Sequence, residues 1–202
     1  MVVITGSFGN PDEVSIVAEF KISEPTPCDN KANQIIVIKD GNGRILTDED
    51  RRAIGLEKGT FMSGQTVNVP KSIAKGIEIK FYDDSILRVS SGTSYYIGEC
   101  SDLAPRSEPL NVKITLLLGK IWAKITPEND TKWTIQTERS VDGNRGTTFS
   151  TEYDPDTATT TVVVEEGSAW LRNKFGEVKT IIINAGETGT QTMDQPPVLK
   201  SN

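Results

Sequence analysis

Histidine is absent from the 202-residue chain. That removes the commonest general base near neutral pH and the commonest metal ligand, and with them Ser-His-Asp and Cys-His catalysis. Two cysteines, Cys28 and Cys100, are too few for a four-thiolate metal site. They are a candidate disulfide closing a long loop, which suits an oxidising compartment; two separate free thiols are the alternative. The 28 Asp and Glu residues supply many carboxylate pairs of the kind that run glycoside hydrolysis, but none is singled out by its setting. Glu165 and Glu166 are adjacent, and neighbours on a strand point to opposite faces.

Oxygen-rich stretches at Asp83-Asp84-Ser85, Asp154–Thr161 and Asp40–Asp50 have the donors that calcium prefers. The last has Gly43 at its fourth position, where a calcium loop needs glycine at the sixth. Turn chemistry accounts for all three. Arg145, between Asn144 and Gly146, carries planar donors for a carboxylate or phosphate. The surrounding GNRG lacks the downstream lysine and helix of a phosphate cradle, so tethering a neighbouring loop is the plainer role. Trp122, Trp133, Trp170, Tyr95 and Tyr96 are enough rings for a sugar-binding platform or for a β core. Asn129-Asp130-Thr131 matches the N-glycosylation pattern. These readings predict no catalytic, cofactor or metal site, and a chain that is not an enzyme.

The formal net charge of −6 argues against nucleic acid or an anionic membrane surface as partner. No apolar run reaches eighteen residues, so direct membrane insertion is not expected. The opening MVVITGSFGNPDEV has neither the basic region nor the long apolar region of a signal peptide.

Short alternating runs ending at Gly, Asn or Asp dominate the chain and predict an all-β fold, a sandwich or β-roll of antiparallel strands and hairpins. DEVSIVAEFKIS reads as a half-buried strand. IIVI-DGNG-RIL reads as a hairpin, as does GIEIKF-YDDS-ILRV, in which Ile77, Ile79 and Phe81 share one face. TDEDRRAIGLEKG is the plausible helical turn, with Thr47 as cap and Asp50 three residues on. At most one or two short helices are expected. SDLAPRSEPLN, with Pro105 and Pro109, is the strongest linker signal. A weak echo joins ITLLLGKIWAK to TVVVEEGSAWLR: Gly119 and Gly167 are each followed three positions later by a tryptophan, Trp122 and Trp170. A strand–bend–strand unit used twice explains it, and predicts that both tryptophans are core residues.

The residues from about Gly64 to Thr190 resemble the FecR-like domain, an extracytoplasmic β domain of bacterial regulators and envelope proteins. DDSILRV, LLLGKIWAKI, WTIQTERSVDGNRGTTFSTEY, TTTVVVEEGSAWL and IINAGETG follow the family's order of elements. The most specific piece is Arg145-Gly146-Thr147-Thr148-Phe149, similar to the family's RGTEF, with Thr148 where an acidic residue is usual. Thr137-Glu138 stands where the family has Thr-Pro. The resemblance makes Arg145, Gly146, Thr147 and Phe149 a candidate structural motif.

It also implies an extracytoplasmic location and three segments: an N-terminal β extension (1–63), a FecR-like domain (64–190) and a C-terminal tail (191–202). The expected function is non-enzymatic protein–protein contact. The first form of that reading is a self-assembling surface or filament subunit, in which the strand from Met1 to about Ile22 adds to a neighbour's edge. A ligand-sensing or regulatory periplasmic module and a carbohydrate-binding module are the alternatives.

Overall fold

The computed structural model describes residues 26–27, 35–56, 62–81, 84–98, 111–126, 132–144, 146–175, 179–193 and 195–201. The expected strand at Met1–Ile22, the linker at 101–111 (apart from Asn111), Cys28, Cys100, Asn129 and Arg145 lie outside the described residues. In chain order the elements begin with β1 (Thr26–Pro27), β2 (Ile35–Asp40), α1 (Asp48–Ala53), β3 (Met62–Ser63), β4 (Thr66–Asn68), β5 (Ile77–Phe81), β6 (Ile86–Val89) and β7 (Ser94–Ile97). They continue with β8 (Asn111–Lys124), β9 (Lys132–Gln136), β10 (Ser140–Asn144), β11 (Thr148–Asp154), β12 (Thr159–Glu166), β13 (Ser168–Asn173), β14 (Thr180–Asn184), β15 (Glu187–Thr192) and β16 (Val198–Ser201).

Apart from the small β1–β3 pair, these strands form one hydrogen-bonded path that folds into two sheets. The first sheet has the order β2-β5-β6-β8-β11-β12-β15-β16. The second has the order β4-β7-β8-β9-β10-β13-β14. β8 belongs to both. Its first half pairs with β7 and β9, its second half with β6 and β11. Every named pairing in the two sheets is antiparallel except β8 with β9. The expected all-β sandwich is the observed fold.

The inner faces of the two sheets meet in one apolar core. Ile77, Ile79 and Phe81 of β5 and Leu87 and Val89 of β6 enter it from the first sheet. Ile114 and Leu116 of β8 and Trp133 and Ile135 of β9 enter from the second. Phe81 meets Trp133 edge-on across the interface, with ring centroids 5.3 Å apart, a preferred arrangement for paired rings. The alternation read from β5 follows the pleat, with a burial pattern that repeats every second residue.

The helical turn begins as expected. Thr47 Oγ1 accepts from the Asp50 amide at 3.2 Å, and Asp50 Oδ2 accepts from the Thr47 amide at 3.0 Å, closing a capping box. No residue of α1 itself is buried. Its role is to turn the chain so that Ile54 and Leu56 reach the core.

β2 pairs with β5 over Ile35–Asp40, and Ile38, Leu46, Ile54 and Leu56 belong to the same core as the later strands. β2 is therefore part of the first sheet, because a short strand gains burial and backbone partners only by joining a sheet. In the C-terminal stretch, β16 pairs with β15 at the edge of the first sheet.

Gly119 and Gly167 mark the places where the chain crosses from one sheet to the other. Gly119 has φ +92° and stands between the two halves of β8; Gly167 has φ +77° and stands between β12 and β13. A side chain at Gly119 would place Cβ 2.4 Å from Thr93 Oγ1 and 2.8 Å from Thr93 Cα. Gly119→Ala should then combine backbone strain with a collision and cost roughly 2–4 kcal/mol. Gly43→Ala, at φ +89° with nothing within 4 Å, should cost about 1 kcal/mol. Urea titration of the two variants checks the difference; equal midpoints would refute the crowded corner.

Candidate functional site

The matched corners have a shared construction that sequence reading missed. Thr93, which follows Gly92, hydrogen-bonds through Oγ1 to the backbone of Lys120, accepting from its amide at 3.0 Å. Thr147, which follows Gly146, donates from Oγ1 to the Ser168 carbonyl at 2.9 Å. In each case a buried threonine ties itself to the residue just after a sheet-crossing glycine. The signal was present as a Gly-Thr dipeptide ahead of each Gly-x-x-Trp.

The motif containing Gly146, Thr147 and Phe149 is thus a corner. Phe149 is buried in the core, and the Thr147 carbonyl accepts from the Ile125 amide at 3.0 Å. Thr148, the departure from the family pattern, donates from Oγ1 to Glu166 Oε2 at 3.1 Å. These contacts join strands.

Trp122 and Trp170 are not core residues, contrary to expectation. Both are half-buried, each between two buried neighbours: Ile121 and Ala123, and Ala169 and Leu171. Neighbours on a strand alternate faces, so both indoles lie on the outside. For Trp122 the reason lies in β8. Ile114 and Leu116 point inward before the bend, Ile121 and Ala123 after it, so one additional residue enters between them, where the β7–β8 register shifts. The buried tryptophan is Trp133, whose alternating Trp-Thr-Ile-Gln-Thr setting carried that information. Tyr95 is buried and Tyr96 exposed; burial pushes the Tyr95 hydroxyl pKa up. The five rings therefore divide among the core and two opposite outer faces, and a single sugar-binding row is not formed.

The outer face of the first sheet carries the most organised polar array. Strand register sets Lys39 beside Glu78, Glu78 beside Arg88, and Arg88 beside Trp122. Arg88 Nε donates to Glu78 Oε2 at 2.9 Å, and the guanidinium lies 4.5 Å from the Trp122 ring centroid. Trp122 Nε1 donates to Glu165 Oε1 at 3.0 Å. The next residue in the row is Ser150, small enough to sit under the indole and only 6% exposed. Each such contact is modest at a surface. Together they hold a tryptophan and an arginine, residue types that anchor protein interfaces, in one geometry.

At one end of this row, Lys39, Asp40, Gly41, Gly43, Lys75, Ile77, Glu78 and Arg88 line an open cleft of about 400 Å³. The acidic turn beside it has its carboxylates engaged. Arg44 Nε meets Asp40 Oδ2 at 3.1 Å and Arg44 Nη1 meets Asp50 Oδ2 at 2.9 Å. Desolvation pushes the Asp40 pKa up, but hydrogen bonds from the Arg44 and Asn42 amides and the Arg44 side chain outweigh it and hold the carboxyl below its ordinary value. The Thr47 amide, then the Arg44 side chain, do the same for Asp50. Asp154 closes its own turn, accepting from the Asp156 amide and the Thr157 hydroxyl at 2.9 Å each. Among the described residues, no group of three or more potential ligands is arranged to hold a metal ion.

A second polar cluster lies at another edge of the core. The Thr137 hydroxyl bonds those of Thr160 at 2.8 Å and Ser140 at 3.1 Å. Lys174 Nζ donates to the Thr137 carbonyl, and burial pushes its pKa down against the pull of Glu138. Tyr153 donates to Glu138 Oε2 at 3.2 Å; burial and then that carboxylate push its pKa up. The hydroxyls satisfy one another and the lysine meets a backbone carbonyl, an arrangement that stabilises buried polar groups.

With this geometry in place, the comparison with known proteins is decisive for the family. The model of the FecR protein family matches residues 65–169, half of the chain. The chain belongs to the FecR family. The match starts just before β4 and ends in β13, so it contains both sheet-crossing corners. Two crystal structures of a candidate anti-sigma factor from Parabacteroides distasonis share the fold of this FecR chain, at TM-scores of 0.51 and 0.50 and 12% and 13% identity. Each alignment covers 68% of this chain and 59% of the other. The FecR chain thus spans under two thirds of those structures. No curated protein is significantly similar to it.

Exchanging the two kinds of tryptophan tests the assignment of faces. Trp133→Ala should cost roughly 3–5 kcal/mol, and Trp122→Ala roughly 1–2 kcal/mol. Denaturant titration reads both; a larger loss at Trp122 would reverse the assignment.

Proposed function

We propose that this FecR-family chain is the extracytoplasmic β domain of a regulatory signalling protein and that it works by binding protein, not by catalysis. The family match over residues 65–169 carries the proposal. The fold shared with a candidate anti-sigma factor supports it. The array on the first sheet is suited to protein contact, with a pinned Trp122 and Arg88 flanked by charge. Among the described residues no helix is long and apolar enough to cross a membrane. The regulatory reading ranks ahead of the self-assembling filament subunit because the family match and the fold shared with a candidate anti-sigma factor both favour it.

Deletion of the gene in its native bacterium, followed by transcript profiling, tests the reading. A regulatory protein predicts a confined set of transcripts that changes and is restored by complementation. An unchanged profile contradicts it, and loss of a surface structure in electron micrographs would then favour the filament subunit.

A further inference from the structure

The whole chain is acidic, with a net charge of −6, yet the cleft at the edge of the first sheet is lined by three cations: Lys39, Lys75 and Arg88. The two carboxylates in its lining are engaged, Asp40 with Arg44 and Glu78 with Arg88. Among the described residues neither Lys39 nor Lys75 is in an ion pair. Their ammonium groups are available to a ligand.

The backbone around Lys75 is unusual. Lys75 has φ +63°, a left-handed conformation that non-glycine residues adopt at a cost. Its turn is held tightly against the 40–44 turn. The Gly41 amide donates to the Gly76 carbonyl at 2.8 Å. A Cβ at Gly41 would fall 2.3 Å from Lys75 Cβ. Two turns are thus pressed together with a lysine fixed at the contact.

We propose that this cleft, with the adjoining Arg88–Trp122 array, is a docking site for an acidic, extended segment of a partner protein. The proposal rests on the reading of the chain as a protein-binding module and names the chemistry of the partner. Lys39, Glu78, Arg88 and Trp122 stand side by side on four neighbouring strands. Strands about 4.8 Å apart set Lys39 and Trp122 roughly 14 Å apart. An extended segment of about four or five residues spans that distance. Its carboxylates would meet Lys39 and Lys75 at the cleft, and an apolar residue would pack on the exposed side of Trp122. On a chain of net charge −6, the cations of the cleft fix where an acidic segment docks. The cleft adjoins the outer face of the first sheet through Glu78 and Arg88, so a chain lying in it continues toward Trp122.

A hexaglutamate peptide ending in leucine, titrated into the full chain and followed by the Trp122 indole N–H resonance, tests the proposal. The expected result is saturable binding that weakens with added salt. Combining Lys39→Glu with Lys75→Asn, a residue that tolerates positive φ, should weaken binding about tenfold or more. Combining Lys113→Glu with Lys179→Glu, both exposed and on or near the second sheet, should leave it unchanged. Equal losses in the two double variants, no response of Trp122, or equally tight binding of free succinate would each overturn the acidic-segment site. The outcome is separable from that of the transcript experiment: failure of the peptide to bind removes the docking site and leaves the regulatory reading, whereas an unchanged transcript profile removes the regulatory reading whatever the peptide does.

Discussion

The fold depends on a single strand being able to serve two sheets. β8 enters in the second sheet, passes through Gly119 at φ +92°, and continues in the first. A residue with a side chain would meet Thr93 there before it met any other constraint. Thr93 lies 1% exposed and is bonded to Lys120, so it has no room to retreat. Two close-packed sheets need such a corner because the same backbone must keep its hydrogen-bond ladder on both sides of the bend. The Gly146-Thr147 and Gly167 corner solves the same problem a second time, with the same pair of residue types.

This construction separates scaffold from surface. The family's most specific residues are spent on the corner: Thr147 ties two strands and Phe149 fills the core. The outer face of the first sheet carries Lys39, Glu78, Arg88 and Trp122 in one row, away from that corner. A family can thus keep one fold while individual members recognise different partners. The indole and guanidinium are held in a fixed geometry, which would reduce the ordering required by the proposed binding.

Local signals were readable from sequence where local chemistry decides. The Thr47–Asp50 cap, the β5–β6 hairpin and the alternation of Ile77, Ile79 and Phe81 each follow from neighbours within a few residues. The echo of Gly119 and Gly167 was also legible as a bend. The destination of the tryptophans was not, because an inserted residue at the bend changes which face follows. The array on the first sheet was hidden for a different reason. Arg88, Trp122 and Glu165 are far apart in the chain and meet only through the register of separate strands. The pairing of β2 with β5 and of β16 with β15 was hidden for the same reason, since edge pairing is non-local.

Native-state hydrogen exchange along β8 tests the two-sheet account most directly. If one strand couples both sheets, the amides of Ile114 and Leu116 in the second sheet and of Ile121 and Ala123 in the first should exchange only through global unfolding, with a common free energy and a common dependence on denaturant. Two separate exchange classes divided at Gly119 would show that the sheets open independently and would contradict the account.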